Sequence, residues 1–206
     1  MPRDGTATRE RILTAAQQLM TDQGYAATSV DEVIAASSSS KGAFFHHFQS
    51  KADLAGQLID RYVRDDLDFL EAGLAAVSDI ADPIDRVIGF LRYYEDRGDE
   101  LMAEHSGCLY ATVLAELEFS GSDINKAVAR ATVMWREAVV ELLEPAFAAR
   151  RSTTDVDLDA LADHLYTTFE GAYILCRTLE DKTAMRAQLK VMRQLVEALL
   201  RGEGGA

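Results

Sequence analysis

Apolar side chains recur at three- and four-residue intervals along most of the chain, and this spacing limits the folds open to it. A period of this kind places the apolar residues on one side of an α-helix. Segments that alternate apolar and polar residues between turns, as β-strands do, are absent from the sequence. Only three prolines occur among the 206 residues, and residues that favour helices are abundant. The sequence therefore predicts an all-α protein of about nine helices.

Three of these helices lie close together at the N-terminal end. The first is expected over residues 8–23, where Gly24 is a typical stop, and the others over residues 30–36 and 41–47. Hydroxyl side chains that can cap a helix precede the second and the third. The serine tract at 37–40 indicates a tight turn between them. This arrangement is a helix-turn-helix pattern over a domain of residues 1–51, a pattern that often binds DNA.

Six further helices are predicted in a larger domain over residues 52–206. Their expected ranges are 51–76, 83–98, 109–119, 122–149, 157–178 and 184–200. Residues 99–108 are expected to be irregular or to form a short turn. The larger domain is thus predicted to be entirely helical, with the N-terminal three-helix domain attached to it.

The net charge of −13 is distributed unevenly along the chain. The first 51 residues carry five basic and five acidic side chains, so the acidic excess belongs to the remainder. A neutral segment joined to an acidic one is compatible with a protein that approaches a polyanion at one end. The alternative is that the acidic residues only keep the larger domain in solution. Either way, the charge argues against a protein that packages DNA through a broad basic surface.

Several functional classes are disfavoured by what the sequence lacks. Cys108 and Cys176 are too few for a disulfide scaffold and fit a reducing compartment, with a single disulfide as the alternative. The first residues lack the apolar core of a secretory signal, and no apolar run is long enough for a membrane span. No metal-ligand spacing, phosphate loop or catalytic motif occurs. We therefore expect a cytoplasmic protein with no membrane partner, no cofactor, no metal and no enzymatic activity.

The third predicted helix carries side chains that suit a nucleic-acid surface. Phe44 and Phe48 lie one turn apart and are expected to face the core. The rings between them lie on other sides of the helix, and hydroxyl, ammonium and backbone groups at its start can meet phosphates or base edges. For the histidines, the alternative is that they are ordinary surface residues. The candidate DNA-contacting residues here are Ser40, Lys41, Gly42, Phe45, His46 and His47.

Residues 8–54 contain a series of motifs in a fixed order. They read TRERIL from residue 8, GY from 24, TSVDEV from 28 and SKGAFFHHFQSKADL from 40. This series resembles the DNA-binding domain of the tetracycline-repressor (TetR) family of transcriptional regulators, and residues 161–199 are more weakly similar to the last two helices of many members. The resemblance implies a homodimeric regulator, most simply a repressor, which leaves a near-palindromic double-stranded operator when a small-molecule effector binds.

The resemblance also implies further DNA contacts and shows departures from the family pattern. Thr28 and Ser29 would contact phosphate at the start of the second helix, and Lys51 occupies another position where phosphate contacts are common. The turn usually reads Gly-Val, so Ser38 must adopt a strained conformation at a cost of about 1 kcal/mol, and Ser39 replaces an inward apolar residue.

Phe45 stands where the family usually has tyrosine and lacks its hydroxyl. Together with the altered turn, this departure leaves an alternative function, in which a helical small-molecule-binding protein has lost DNA binding.

The last two predicted helices are apolar on one side along their whole length. Helices of this kind form four-helix interfaces between two subunits, and the alternative is that they pack only within one chain. The interface candidates are Leu161, Leu165, Leu175, Leu189, Met192 and Val196.

An effector pocket is expected to combine aromatic rings with a few polar groups. Trp135 and Tyr110 are core residues in the alternative interpretation. Arg177 could read a charged effector or pair with Glu170, or instead pair with Asp181 one turn later. The pocket candidates are Tyr93, His105, Cys108, Tyr110, Trp135, Phe169, Glu170, Tyr173 and Arg177.

Overall fold

The computed structural model of the chain describes residues 5–104, 108–115, 122–150 and 154–202. Regular structure within these ranges is entirely helical, which confirms the predicted all-α class and the count of nine helices. The helices are α1 (Gly5–Gln23), α2 (Val30–Ala36), α3 (Lys41–His47), α4 (Lys51–Ala75), α5 (Pro83–Glu104), α6 (Leu109–Ala115), α7 (Asp123–Ala149), α8 (Leu158–Leu179) and α9 (Thr183–Arg201).

Helices α2 and α3 begin and end at the predicted residues because their capping residues are visible in the sequence. The Ser29 hydroxyl accepts a hydrogen bond from the Glu32 amide at 3.2 Å, and the Glu32 carboxylate accepts one from the Ser29 amide at 2.7 Å. Hydrogen bonds to the Glu32 carboxylate from the Ser29 hydroxyl and then from the Ser29 amide lower the pKa of Glu32. The Ser40 hydroxyl accepts from the Ala43 amide at 3.1 Å in the same way. Each serine thus satisfies a backbone donor that the first turn leaves unpaired.

Helix α5 is longer than the sequence pattern indicates. The segment 99–104, which was expected to be irregular, continues the helix to Glu104. Gly98 lies inside α5 at a close approach to α9, where a Cβ atom on Gly98 would lie 3.0 Å from the Cα atom of Arg186. This glycine therefore permits close packing of two helices and does not end one of them.

The chain divides into two compact units. The first comprises residues 1–65 and 105–130, and in it α1 packs against α2, α3 and α6. Phe44 and Phe48 are 0% exposed, with ring centroids 5.6 Å apart, as expected from their spacing. Val33 of α2 is equally buried. The predicted domain boundary after residue 51 stays a prediction.

The second unit comprises residues 66–104 and 131–206, and its central element is α9, which packs against both α5 and α8. Three arginines of α9 form ion pairs with acidic residues of α5, here called the α5–α9 ion pairs. Their N–O distances are 2.5 Å for Arg193–Glu95, 3.2 Å for Arg186–Asp99 and 2.6 Å for Arg201–Asp85. The Arg193 and Glu95 side chains are only 12% and 13% exposed, whereas the other two pairs are open to solvent.

The structure bears on the cysteine pairing and on the membrane-spanning class. Cys108 and Cys176 are buried thiols, so the alternative of a disulfide is not adopted. Within the described ranges, no helix combines the length and the apolar character needed to cross a membrane.

Candidate functional site

The turn between α2 and α3 forms without the glycine that usually occupies it. Ser38 has φ = 51°, a left-handed conformation that residues other than glycine seldom adopt. The sequence predicts this strain. The Ser39 amide donates a hydrogen bond to the Ile34 carbonyl at 3.1 Å, and the hydroxyls of Ser37 and Ser39 are 2.9 Å apart. Hydroxyl contacts therefore hold a turn that would otherwise be held by an inward apolar side chain.

Because Ser38 is exposed and strained, Ser38→Gly is expected to raise the free energy of unfolding by about 0.5–1 kcal/mol. Urea unfolding followed by circular dichroism measures this change. Glycine at Ala36, an exposed helical residue, is the matched control and is expected to lower stability by about 1 kcal/mol. If both glycines destabilise the protein equally, Ser38 carries no strain.

Helix α3 presents an exposed side that is suited to DNA. Lys41 and His46 are exposed, and Phe45 is 48% exposed. No Asp or Glu occurs between residues 33 and 52, so α3 and the turn before it carry no carboxylate that would repel phosphates. Ser29, Ser40 and Gly42 are exposed as well, which brings most of the predicted contact residues to solvent around the two short helices.

Thr28 is placed differently from the prediction. Its side chain is only 1% exposed, and its hydroxyl donates a hydrogen bond to the Gly24 carbonyl at 2.8 Å. The prediction that this hydroxyl contacts phosphate is therefore corrected, because it stabilises the loop between α1 and α2 and is shielded from solvent.

Lys51 supports the same loop from the start of α4. Its ammonium group donates to the carbonyls of Tyr25 and Thr28 at 2.9 Å and 3.0 Å and lies 4.0 Å from the centre of the Tyr25 ring. An ammonium group has three N–H donors, and these two carbonyls use two of them. The phosphate contact of Lys51 stays a prediction. The structural role of Lys51 has no signal in the sequence, since it depends on contacts 23 and 26 residues away.

His47 is half-buried at the end of α3 and next to other basic groups. Its ring centroid lies 4.9 Å from that of His46. Desolvation lowers the pKa of His47 below its ordinary value, and the nearby His46 and Arg9 lower it further. His47 is therefore neutral at pH 7 and gains its charge only in more acidic solution.

The predicted dimer candidates fall on different sides of α8 and α9. Leu189, Met192 and Val196 are at most 5% exposed and belong to the core of their own subunit, so assigning them to the interface was wrong. The same correction applies to Leu161 and Leu165, which are at most 8% exposed, whereas Leu175 is exposed. The exposed apolar residues of these helices, here called the α8–α9 apolar face, are Ile174, Leu175, Leu179, Val191 and Leu195.

Four of the pocket candidates meet in one aromatic cluster of the second unit. It also contains three aromatic residues that the sequence analysis missed, and each ring lies within 6.4 Å, centre to centre, of another. Burial raises the pKa of Tyr94, so its hydroxyl is protonated and lies 3.4 Å from the Phe69 carbonyl. The cluster consists of Phe69, Phe90, Tyr93, Tyr94, Trp135, Phe169 and Tyr173.

The other pocket candidates do not join this cluster. Cys108 and Tyr110 are buried in the first unit, where the Tyr110 ring packs against Tyr62 with centroids 4.8 Å apart. Glu170 is half-buried and Arg177 is exposed on α8, and His105 lies outside the described residues. Tyr110 is thus a core residue, as the alternative interpretation held.

These features define a class of protein. A short helix that follows a tight turn and exposes Lys41, Phe45 and His46 is typical of the recognition helix in helix-turn-helix DNA-binding proteins. Among the residues that the structure describes, no three His, Cys, Asp or Glu side chains are grouped so that they could hold a metal ion.

Comparison with known proteins identifies the family. Residues 12–58 match the model for bacterial regulatory proteins of the tetR family, and residues 83–192 match that for the tetracyclin repressor-like C-terminal domain. The transcriptional regulator AcuR of Cereibacter sphaeroides is 30% identical over 83% of this chain and 77% of its own. The HTH-type transcriptional repressor DhaR of Mycobacterium sp. strain GP1 is 24% identical, over 95% and 93% of the two chains.

A solved structure shows the same fold. The crystal structure of a TetR transcriptional regulator from Chloroflexus aurantiacus superposes with a TM-score of 0.77 at 27% identity and covers 97% of this chain and 98% of its own. The chain belongs to the TetR family of bacterial transcriptional regulators, with a helix-turn-helix DNA-binding domain followed by a ligand-binding domain. The matched relatives named here are regulators and not enzymes.

Proposed function

We propose that the protein is a homodimeric repressor that acts in the cytoplasm and leaves its operator when a small molecule binds. Each subunit places α3 in the major groove of one half-site, and the two half-sites are about 34 Å apart along the DNA. The observation that carries the proposal is the exposed side of α3, which joins Lys41, Phe45 and His46 in a segment without acidic residues.

The contacts on DNA follow from which groups are accessible. Lys41 bonds a phosphate or a guanine edge from the start of α3. The hydroxyls of Ser29 and Ser40 accept capping bonds from backbone amides, and the O–H group of Ser40 remains able to donate to phosphate, with the exposed Ser29 as a second contact at the start of α2. Lys51 adds a positive charge for a phosphate, and Gly42 allows the backbone to approach closely.

The proposed role of Lys41 is tested by the salt dependence of binding. The full chain selects duplexes from a random library, and the affinity for the best duplex is measured between 50 and 200 mM salt. Lys41→Gln is expected to weaken binding about tenfold at low salt. The slope of log affinity against log salt concentration should become shallower by about two for a dimer, one for each lost phosphate contact. Lys190→Gln on the exposed surface of α9 is the matched control.

This experiment also separates the two functions that the sequence leaves open. A helical small-molecule-binding protein without DNA binding would select no duplex at any salt concentration. Selection of a duplex whose affinity does not respond to Lys41→Gln would contradict the proposed role of α3.

Acidification is expected to strengthen DNA binding. As the pH falls below the ordinary histidine range, His47 gains a positive charge beside phosphates, so affinity should rise up to about tenfold between pH 7.5 and 5.5 at constant ionic strength. Because its pKa is lowered, most of this rise should come below pH 6.5. His47→Gln is expected to reduce the rise, whereas His164→Gln on the exposed surface of α8 should preserve it.

Folding stability should respond to pH in the opposite direction. A histidine whose pKa is lowered by folding contributes its full stability above the pKa of the unfolded chain, and it loses that contribution as the pH falls through its lower pKa in the folded protein. Circular dichroism at each pH therefore has to show that the protein remains folded. If the affinity of His47→Gln for DNA rises on acidification as much as that of the unaltered protein, His47 is not the group whose charge strengthens binding.

The effector is proposed to bind at the aromatic cluster of the second unit. Rings supply apolar contact, and the Arg97 guanidinium, 3.7 Å from the centre of the Tyr93 ring, supplies a positive charge. Trp135 is the only tryptophan of the chain, and its ring lies 5.8 Å from that of Tyr94. Its fluorescence therefore reports small molecules that bind here, and the operator affinity measured with the same molecules tests whether they release DNA.

Dimerisation is proposed to bury the α8–α9 apolar face. Val191 and Leu195 lie one turn apart on α9 and are 48% and 56% exposed, and Ile174 of α8 is 65% exposed. Large apolar side chains exposed in this number on two packed helices are typical of a surface that a partner covers.

A further inference from the structure

We propose that Phe45 determines operator specificity by recognising the 5-methyl group of thymine in the major groove. The proposal rests on the DNA-binding function above and identifies the chemical feature of the bases that α3 reads. Phe45 stands where the family usually has tyrosine, so it cannot make the polar contact of a tyrosine hydroxyl.

The Phe45 ring is exposed but not loosely held. It is 48% exposed, and it meets the fully buried Phe44 edge to face, with centroids 5.2 Å apart and planes at 78°. A large apolar side chain held in solvent adds little to the core, but it is already oriented for a partner, which reduces the entropy lost on binding.

Its neighbours on α3 leave room for a methyl group. Gly42 lies one turn before Phe45 on the same side of the helix, and a Cβ atom there would meet nothing closer than the Ser40 hydroxyl oxygen at 4.0 Å. The helix surface one turn before Phe45 is therefore open, and a base substituent can rest there beside the ring.

The side chains around Phe45 offer few other ways to read bases. Residues 33–48 contain no carboxylate for the cytosine amino group and no asparagine or glutamine for adenine, and Lys41 is the one basic side chain apart from the histidines that could meet guanine. Apolar contact is the means by which proteins recognise the thymine methyl group. The exposed ring of Phe45 supplies that contact on α3.

The test removes only the methyl group. Duplexes are selected from a random library with the full chain, and each thymine of the best duplex is replaced in turn by deoxyuridine. One thymine of each half-site is expected to respond. Replacing it in one half-site should weaken binding about fourfold, and replacing it in both half-sites should weaken binding about 15-fold. Replacements outside the half-sites serve as the control.

Two variants assign the effect to Phe45. Phe45→Ala is expected to bind thymine and deoxyuridine duplexes equally, whereas Phe45→Tyr keeps the ring and should keep the discrimination. Circular dichroism checks that both variants fold. If Phe45→Ala still discriminates, or if the unaltered protein binds both duplexes equally, the proposed role of Phe45 is overturned. The proposed DNA-binding function would still stand in either case. Failure to select any duplex overturns the proposed DNA-binding function with it.

Discussion

Replacing Leu195 with glutamate is expected to convert the proposed dimer into a monomer. Leu195 is 56% exposed on α9 and lies within the α8–α9 apolar face. In a dimer, the variant would bury a carboxylate among apolar side chains without a partner, which costs several kcal/mol. The dimer dissociation constant should therefore rise by at least about 100-fold. Sedimentation velocity at a series of protein concentrations measures the change.

The same variant should lose operator affinity. Two linked recognition helices bind two half-sites far more tightly than one helix binds either of them, so a monomer loses about 100-fold or more. Ala81→Glu places an equal charge on an exposed loop before α5 and should affect neither property. If Leu195→Glu remains dimeric at the concentrations where the unaltered protein is dimeric, the α8–α9 apolar face is not the interface.

Replacing Gly98 with alanine is expected to destabilise the second unit by about 1–3 kcal/mol. The added Cβ atom would lie 3.0 Å from the Cα atom and 3.1 Å from the amide nitrogen of Arg186, and these are backbone atoms that cannot rotate away. Helices α5 and α9 would have to separate at this point. Urea unfolding monitored by the fluorescence of Trp135 measures the effect.

Gly56 provides a control with the opposite sign. It lies inside α4, and a Cβ atom there would have nothing within 4 Å, so Gly56→Ala should raise stability by up to about 1 kcal/mol through helix propensity alone. If Gly98→Ala is also stabilising, the close approach of α5 and α9 is not constrained by this residue.

The helix-turn-helix could be predicted closely because its signals are local. Ser29 and Ser40 are capping residues a few positions from the amides they bind, and the spacing of Phe44 and Phe48 identifies the buried side of α3. The strain at Ser38 was likewise predictable, since the turn needs a left-handed residue whatever occupies it. Thr28 was not, because its burial depends on how the preceding loop folds back.

The larger domain shows where periodicity is insufficient. Helix α9 carries two apolar stripes, one through Leu189 and Val196 and another through Val191 and Leu195. Periodicity cannot indicate which stripe packs against the chain's own helices and which is exposed, so the interface was assigned to the inner one. The sequence pattern also predicts that α5 ends near Gly98. The contact that explains this glycine is with Arg186 of α9, 88 positions further along the chain, and local spacing does not reveal it.

The α5–α9 ion pairs have a consequence for experiments at high ionic strength. Phosphate contacts weaken steeply as salt rises, and so do the open pairs of Arg186 and Arg201. The Arg193–Glu95 pair is largely shielded from solvent and is screened much less. There should consequently be a range of salt concentrations in which the protein has left its operator but remains folded. In that range, effector binding can be measured on the DNA-free protein.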